Sequence, residues 1–308
     1  MKNNTDYKPE YVFLDGKIVP LKNAKISVMA PGFTFAVSVF EGIRAYWNKD
    51  KEQLYIFRID EHIKRLKFSM IVMELDLELN EENFKRDIIQ LLKINKIKRD
   101  TYIRAQTYIN DWGNMMSKKP VGSSIICHSR PRLKAYYEGK RFSVSSWRRN
   151  SEDSSPPRIK TSANYFNGRL AGLEALRSGF DGAIILNNDG TISEGPGGCI
   201  FIVRDNKLVT PSFSSGILES ITRDSIINIG KIKNIETIER KIGRTELYLA
   251  DEVFYCGTGQ EIVPIISIDN KLVNRGLVGS ITKSIQSEYD CIVRGDNSNF
   301  STWVTEVY

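Results

Sequence analysis

The sequence PPRIKTSANYF, residues 156–166, places Lys160 between a proline-rich loop and the start of a helical pattern. A lysine after such a loop is most often a solvated surface residue. Here Ile159 precedes it and the small residues 161–163 follow it, so its amine could instead lie in a niche away from water. Loss of hydration lowers the pKa of a lysine and makes the amine a usable nucleophile. The pattern therefore leaves two interpretations of Lys160, a surface cation or a reactive amine.

A glycine-rich turn in SEGPGGCIFIV, residues 193–203, follows the lysine in the chain. Glu194 lies at the end of a predicted strand, where a surface acid is the simple interpretation, and turn formation alone accounts for the glycines after it. In a chain that holds a reactive lysine, the carboxylate of Glu194 could instead face the ring nitrogen of a pyridine cofactor. A pyridine that keeps its ring proton is the better electron sink.

Two other segments are suited to binding phosphate. The sequence LESITRDSI, residues 218–226, predicts a helix that starts at Glu219 or Ser220 and offers backbone N–H groups at its positive end. The turn CGTGQE, residues 256–261, follows a predicted strand, and its backbone amides could enclose an anion. Turns and helix caps are the usual explanation of such segments, so each is a weak indication by itself.

The composition is ordinary for a globular enzyme. The chain has 308 residues, 41% of them apolar, and no apolar stretch approaches the roughly 20 residues that cross a bilayer. The net charge of +7 comes from 44 basic residues interspersed with 37 acidic ones, which favours a solvated surface over a nucleic-acid-binding face. Four scattered cysteines and two histidines predict neither disulfides nor a metal site, and His62 lies on the polar side of a helical pattern. The N-terminus lacks an apolar signal core, so we expect a cytoplasmic protein.

Periodicity predicts an α+β protein in which strands and helices are interleaved. Apolar residues recur at helical spacing in three segments, residues 59–77, 81–96 and 164–178. One face of the third carries Phe166, Leu170, Leu173 and Leu176. Strand patterns occur at YVFL and KIVP around the Asp15-Gly16 turn, and at residues 35–46, 101–109, FSVSSW, DGAIIL, GTISE, CIFIV, KLVTP and EVFYC. A change of composition after His128 predicts a small domain over residues 1–128, a linker over 129–138 and a large domain over 139–308.

Eight segments, taken in order, resemble the fold type IV pyridoxal-phosphate aminotransferases, most closely the branched-chain amino acid aminotransferases. They are SVFEGIRAY, FRIDEHIKRL, YIR, VSSWRR, IKTSANY, DGTISEG, SITRDSI and LYLADEVFYCGTGQEI. One such segment would be a weak indication, whereas eight in the same order along nearly the whole chain are a strong one. The resemblance implies a two-domain fold similar to D-amino acid aminotransferase. It has a small N-terminal α/β domain and a larger C-terminal mixed α/β pseudo-barrel domain.

The resemblance also implies a site for pyridoxal 5'-phosphate. Lys160 matches the lysine that carries the cofactor, Glu194 the partner of the pyridine nitrogen, and Tyr165 the tyrosine that hydrogen-bonds the phenolic oxygen. The phosphate-binding positions are matched by Arg65, Ile221, Thr222 and Thr258.

For the substrate, the resemblance assigns carboxylate binding to Tyr102 and Arg104, and Thr258 and Gly259 would offer amides to the α-carboxylate. Positions near the substrate are matched by Phe35, Phe40 and Gly42. The implied partners are amino acids and 2-oxo acids, with no nucleic acid, membrane or metal. A homo-oligomer, at least a dimer, is implied because active sites in this family take residues from a neighbouring small domain.

Several positions depart from the family pattern, and two of them bear on the preferred amino donor and acceptor. Phe35 stands where the family usually has a tyrosine, and Cys199 stands where it has an asparagine after the glutamate. The leading hypothesis is transamination of L-branched-chain amino acids with 2-oxoglutarate and glutamate as the partner pair. The alternatives are a D-amino acid or (R)-amine transaminase, or aminodeoxychorismate lyase. A non-catalytic scaffold with this fold is disfavoured, because the lysine, glutamate, tyrosine and arginine are all present.

Overall fold

The structure, a computed structural model, describes residues 8–308, which divide into two compact units. Of the described residues, the first unit holds 8–132 together with Ile159–Ala163 and Cys291–Tyr308. The second unit holds Leu133–Arg158 and Asn164–Asp290. The domain boundaries inferred from composition stay a prediction. Within residues 8–308, no helix combines the length and apolar character needed to cross a membrane.

The first unit is built on an antiparallel sheet of seven strands, in the order β15-β4-β3-β5-β6-β1-β2. Its strands are β1 (Tyr11–Leu14), β2 (Lys17–Pro20), β3 (Ser38–Asn48), β4 (Gln53–Phe57), β5 (Thr101–Ile109), β6 (Val121–Ser129) and β15 (Val304–Glu306). The predicted hairpin around Asp15 and Gly16 is confirmed, and both residues have positive φ, 47° and 84°, as a type I′ turn requires.

One face of this sheet packs against two amphipathic helices, α2 (Ile59–Val72) and α3 (Glu81–Ile94). Alternate residues of β5, such as Ile103 and Ala105, join the apolar side chains of both helices in one core. Asn80 caps α3 by accepting a hydrogen bond from the Asn83 N–H group, at 2.9 Å. The apolar pattern that predicted α2 continues to residue 77, but the helix ends at Val72, because Glu74 adopts a left-handed φ of 50°.

The opposite side of the central strands is called the distal face here. It carries the other set of alternating side chains from β3, β5 and β6, which are direct neighbours across the strands. The distal face consists of Phe40, Gly42, Arg44, Tyr102, Arg104, Gln106, Ser124, Ile126 and His128. All four substrate-binding residues that the resemblance assigns to β3 and β5 therefore lie on one side of one sheet.

The second unit is built on a mixed sheet of eight strands, in the order β11-β10-β9-β12-β13-β7-β8, with β14 paired to β13. Its strands are β7 (Lys140–Arg148), β8 (Gly182–Leu186), β9 (Cys199–Arg204), β10 (Lys207–Thr210), β11 (Thr237–Glu239), β12 (Glu252–Gly257), β13 (Glu261–Ile268) and β14 (Lys271–Leu272). The remaining helices are α1 (Pro31–Thr34) in the first unit, α4 (Ala135–Glu138), α5 (Tyr165–Arg177) and α6 (Ile221–Ile232) in the second, and α7 (Ser280–Val293), within which the division falls.

Helix α5 uses an unexpected face for packing. Its buried residues are the small ones, Gly168, Ala171 and Ala175. Phe166 and Leu176 of the predicted apolar face are 65% and 57% exposed. A β-carbon at Gly168 would lie 2.5 Å from the Pro196 carbonyl oxygen, so α5 approaches the glycine-rich turn too closely for a larger residue.

The α+β class predicted from the sequence is confirmed by the two sheets and their helices. The predicted strand GTISE is wrong, since Thr191 and Ile192 make only single bridges, to Gly243 and Leu186. Such a short segment lacks a continuous neighbour strand to complete a ladder. The elements that the patterns did not predict include α1, β4, β6, α4, β13, β14, α7 and β15.

Candidate active site

Lys160 belongs to the first unit, where its backbone is held from two sides. Its carbonyl oxygen accepts a hydrogen bond from the Phe40 N–H group of β3, at 3.0 Å. Its own N–H group donates to the Ser69 hydroxyl of α2, at 3.2 Å. The Lys160 amine lies 5.0 Å from the centre of the Phe40 ring. The short segment that carries the lysine is thus fixed to the end of β3, beside the distal face.

Arg65 of α2, the predicted phosphate-binding arginine, forms a bidentate pair with Glu41 of β3. Its Nε and Nη2 atoms lie 2.7 and 2.8 Å from the two oxygens of that carboxylate. Glu41 also contacts a second residue of α2, His62, whose Nδ1 lies 2.7 Å from Oε2 of Glu41. Glu41 and His62 are both fully enclosed, at 0% and 1% exposure. The prediction that His62 lies on the polar side of its helix is therefore wrong.

The charge of the buried Glu41 carboxyl group is set by its neighbours. Burial by itself would raise the pKa of Glu41, but the charge and hydrogen bonds of Arg65, with a further contribution from His62, lower that pKa to about 2. Burial lowers the pKa of His62, with Glu41 opposing and Arg65 and Lys160 adding to the shift. A neutral imidazole that donates to an ionised carboxylate follows from these directions. Sequence patterns missed Glu41 as a site residue, although it stands inside the quoted segment SVFEGIRAY.

The distal face brings together Phe40, Gly42, Tyr102 and Arg104. The Arg104 guanidinium carbon lies 3.8 Å from the centre of the Phe40 ring, which is a close stacking contact. A β-carbon at Gly42 would collide with the Tyr102 hydroxyl and lie 2.7 Å from the ring carbon that bears it, so only glycine leaves space for this ring. Phe35 directly follows α1 and is 53% exposed.

Glu194 lies in the second unit, where an arginine holds its carboxylate. Arg149 follows β7 directly, and its Nη2 lies 2.6 Å from Oε1 of Glu194. Both side chains are more than nine-tenths buried, and the Cys199 sulfur lies 3.7 Å from the other carboxylate oxygen. Burial raises the pKa of the Cys199 thiol to about 12, with Glu194 adding to the shift, so the thiol stays protonated and can donate. Sequence patterns missed Arg149 as a site residue, although it stands inside the quoted segment VSSWRR.

The glycine-rich turn after Glu194 packs against the turn that follows β12. The Tyr255 hydroxyl oxygen accepts from the Gly197 N–H group, at 2.9 Å. A β-carbon at Gly257 would lie 3.1 Å from the Gly197 carbonyl oxygen, so Thr258 and Gly259 stand beside this turn in the fold. Tyr165 is the first residue of α5. Its ring lies close to the glycine-rich turn, since a β-carbon at Gly197 would be 3.9 Å from it.

The predicted helix start at LESITR is confirmed as the beginning of α6. Ser220 is the N-cap and accepts from the Arg223 N–H group, at 3.2 Å, while Ile221 and Thr222 form the first turn. The Cys199 sulfur lies 3.9 Å from the Leu218 carbonyl oxygen, so the segment before α6 reaches the surroundings of Glu194.

The second unit fits a phosphorylated pyridine. A buried carboxylate, fixed by a guanidinium, is a suitable partner for a ring N–H, and the first-turn amides of α6 are suitable donors to phosphate. The glycine-rich turn that follows Glu194 packs so closely against the turn after β12 that a β-carbon at Gly198 would collide with the Cys256 carbonyl oxygen. In the first unit, the structure brings Lys160 to Phe40 and Arg104, and it engages Arg65 with Glu41.

Residues 38–268 match the family described as Amino-transferase class IV, and the chain belongs to that family. A class IV aminotransferase is the class that the fold and the site define. One relative is the "Probable branched-chain-amino-acid aminotransferase" of Aquifex aeolicus, 40% identical over 307 residues, which cover 98% of each chain.

Solved structures agree with this family. The chain is similar to the branched-chain aminotransferase from Thermoproteus uzoniensis with norvaline, with a TM-score of 0.93 and 38% identity over 98% of this chain and 100% of that chain. It is also similar to the enzyme from Thermobaculum terrenum in its PLP-form, with a TM-score of 0.91 and 37% identity over 97% and 99% of the two chains. The predicted family, fold type and aminotransferase class are confirmed.

Proposed function

We propose that the protein transfers amino groups between L-branched-chain amino acids and 2-oxoglutarate, with pyridoxal 5'-phosphate as its cofactor. The observation that carries this proposal is the whole-length similarity to branched-chain aminotransferases, 40% over 98% of the chain, in a protein that has Lys160 and the Arg149–Glu194 pair. Substrates of an aminotransferase are amino acids and 2-oxo acids, and the branched-chain preference is that of the named relatives.

The cofactor would be held through its phosphate and its phenolic oxygen. Arg65, the first turn of α6 at Ile221 and Thr222, and Thr258 would bind the phosphate, since guanidinium, amide and hydroxyl groups all donate to anions. Tyr165 would donate to the phenolic oxygen. When bound, pyridoxal phosphate supplies an electron sink for the negative charge that develops on the substrate Cα.

The chain itself supplies the proton transfers. The Lys160 amine would hold the cofactor, and as a free amine it would take the proton from Cα as a general base and return it as a general acid. The Glu194 carboxylate would accept a hydrogen bond from the protonated ring nitrogen, and Arg149 holds that carboxylate in place at 2.6 Å. Each role follows from the matched position and the chemistry of the side chain.

Substrate binding is proposed for the distal face and the turn after β12. Tyr102 and Arg104 would receive a substrate carboxylate, with Phe40 and Gly42 forming the floor beside them. Thr258 and Gly259 would offer amides to the α-carboxylate. Phe35 gives this region an aromatic ring in place of a hydroxyl, which favours apolar side chains of the substrate over polar ones.

A dimer or larger homo-oligomer is proposed because the first unit exposes many large apolar side chains in two segments. The exposed side chains lie in residues 26–35 and in the loop 112–116, and Gly113 lies against Pro31 in the fold. They are Ile26, Val28, Met29, Phe33, Phe35, Trp112, Met115 and Met116. Apolar patches of this kind mark protein interfaces. A monomeric mass of the holoenzyme in sedimentation equilibrium would contradict the proposal.

A cytoplasmic location is also proposed. Cys127, Cys199 and Cys256 are buried thiols that form no disulfide, which suits a reducing compartment.

The visible absorption spectrum of the purified protein tests the function. We expect a yellow band that bleaches with L-leucine and returns with 2-oxoglutarate, because the second half-reaction reverses the change that the first makes to the cofactor. A band that ignores L-leucine but bleaches with D-alanine or an (R)-amine would move the function to another fold type IV transaminase. No band after addition of pyridoxal phosphate would contradict the enzyme assignment altogether.

A further inference from the structure

The guanidinium of Arg104 is fixed from two directions on the distal face. Its carbon atom lies 3.8 Å from the centre of the Phe40 ring, and its Nε donates to Oε1 of Gln106, at 3.1 Å. Phe40 and Gln106 are direct neighbours across β3 and β5, so the two contacts come from one row of the sheet. The Lys160 amine lies 5.0 Å from the centre of the same ring. Arg104 is therefore held at the edge of the segment that carries the cofactor lysine.

The chemistry of Gln106 matters for what Arg104 can do. An amide oxygen accepts from Nε without neutralising the guanidinium, whereas a carboxylate at this place would compete with an anionic ligand. A guanidinium held in one plane binds a carboxylate with less loss of freedom than a mobile one. An apolar substrate side chain gains nothing from such a cation, so the effect of the contact depends on the substrate.

We propose that Gln106 is a positioning residue for dicarboxylate substrates, which orients Arg104 to receive the distal carboxylate of glutamate or 2-oxoglutarate. The inference rests on the proposed function and deepens it, since it gives one side chain a role in only one of the two half-reactions. Gln106 itself lies beside a cavity of about 240 Å³, whose lining includes Ser124, Phe33 and Val28. The amide is thus placed between the guanidinium and a partly apolar space.

The test compares two substrates in the holoenzyme of Gln106→Leu. We expect the KM for L-glutamate to rise about tenfold while the KM for L-leucine changes little, because one hydrogen bond to a charged group is lost. Gln106→Met keeps an unbranched side chain of similar length and is expected to give the same result. Gln90→Leu makes the same change at an exposed position of α3, on the other side of the sheet, and should leave both KM values unchanged.

Equilibrium binding gives a second readout that needs no turnover. Calorimetry with glutarate and with isocaproate, which lack the amino group, should show weaker binding of the dicarboxylate alone in both Gln106 variants. Equal changes for the two ligands, or for the two amino acids, would overturn the inference, and so would no change at all. Failure of the proposed function would be seen separately, in the wild-type protein, as no reaction with either amino acid.

Discussion

Replacement of Lys160 by alanine is expected to abolish transamination. The amine is the proposed attachment point of the cofactor and also the proposed base at Cα, and loss of a general base alone costs about 100- to 10,000-fold in rate. The backbone contacts of this residue, to Phe40 and to the Ser69 hydroxyl, do not involve its side chain, so the fold should persist. The measurement is the rate of bleaching by L-leucine in a single turnover, with protein mass after borohydride reduction to detect covalent cofactor.

The matched control is Lys64→Ala, which removes an exposed lysine of α2 in the same unit. It should keep both the covalent cofactor and the rate. Added methylamine should restore part of the rate to Lys160→Ala, because a small amine can occupy the vacated space and accept the proton. Undiminished turnover in Lys160→Ala would show that the chemistry uses another group.

Replacement of Glu41 by alanine is expected to have the largest effect on stability. The change leaves the Arg65 guanidinium and the His62 imidazole without their shared carboxylate, and breaking a buried ion pair from one side costs about 3–5 kcal/mol. The lowered pKa of Glu41 agrees, since a fall from 4.5 to about 2 corresponds to about 3 kcal/mol at 1.36 kcal/mol per pH unit. Urea unfolding at neutral pH measures the loss.

The dependence on pH distinguishes this mechanism from a simple packing loss. Because the folded-state pKa lies below the unfolded one, the stabilisation by Glu41 is complete above about pH 4.5 and is lost as the pH falls towards 2. The difference in unfolding free energy between wild type and variant should therefore shrink across that range. A difference that is constant with pH would contradict the electrostatic explanation.

An acid on α2, the helix that carries Arg65 and His62, provides the control for Glu41. Glu61 pairs with Arg58 at 2.7 Å but is 37% exposed, and a surface pair contributes about 0–1 kcal/mol. Glu61→Gln should thus leave both stability and cofactor affinity nearly unchanged. In Glu41→Ala, the affinity of the apoprotein for pyridoxal phosphate should also fall, because Arg65 loses the carboxylate that orients it.

Local patterns predicted the elements whose signals are complete within a few residues. The hairpin at Asp15 and Gly16 has its turn chemistry in two adjacent residues, and the start of α6 has its cap in Ser220. The prediction of a strand at GTISE was wrong because a strand also needs a neighbour to pair with, and alternation within a short segment does not show whether one is available. Similarly, Phe166 and Leu176 follow a helical period, but close packing of α5 through Gly168 leaves both exposed.

Side-chain pairings across distant segments were beyond the reach of such patterns. Glu41 lies on a strand and Arg65 on a helix, and only the packing of α2 against β3 brings Arg65 Nε to 2.7 Å from Glu41 Oε1. Arg149 meets Glu194 because β7 and β8 run parallel side by side, a neighbourhood that the sequence does not state. The roles of Lys160 and Glu194 came from resemblance to a family, and their assignment as site residues stays a prediction until variants are measured.

The first unit is assembled from three separate segments of the chain, and this has a consequence for folding during synthesis. Strand β15, which pairs with β4, and the Lys160 segment are both translated long after the strands they join. A nascent chain that has reached only Arg132 still presents the outer edge of β4 unpaired, and it keeps that edge until residues 304–306 leave the ribosome. Unpaired edges invite aggregation, so we expect this protein to depend on chaperones during synthesis more than a protein with contiguous domains.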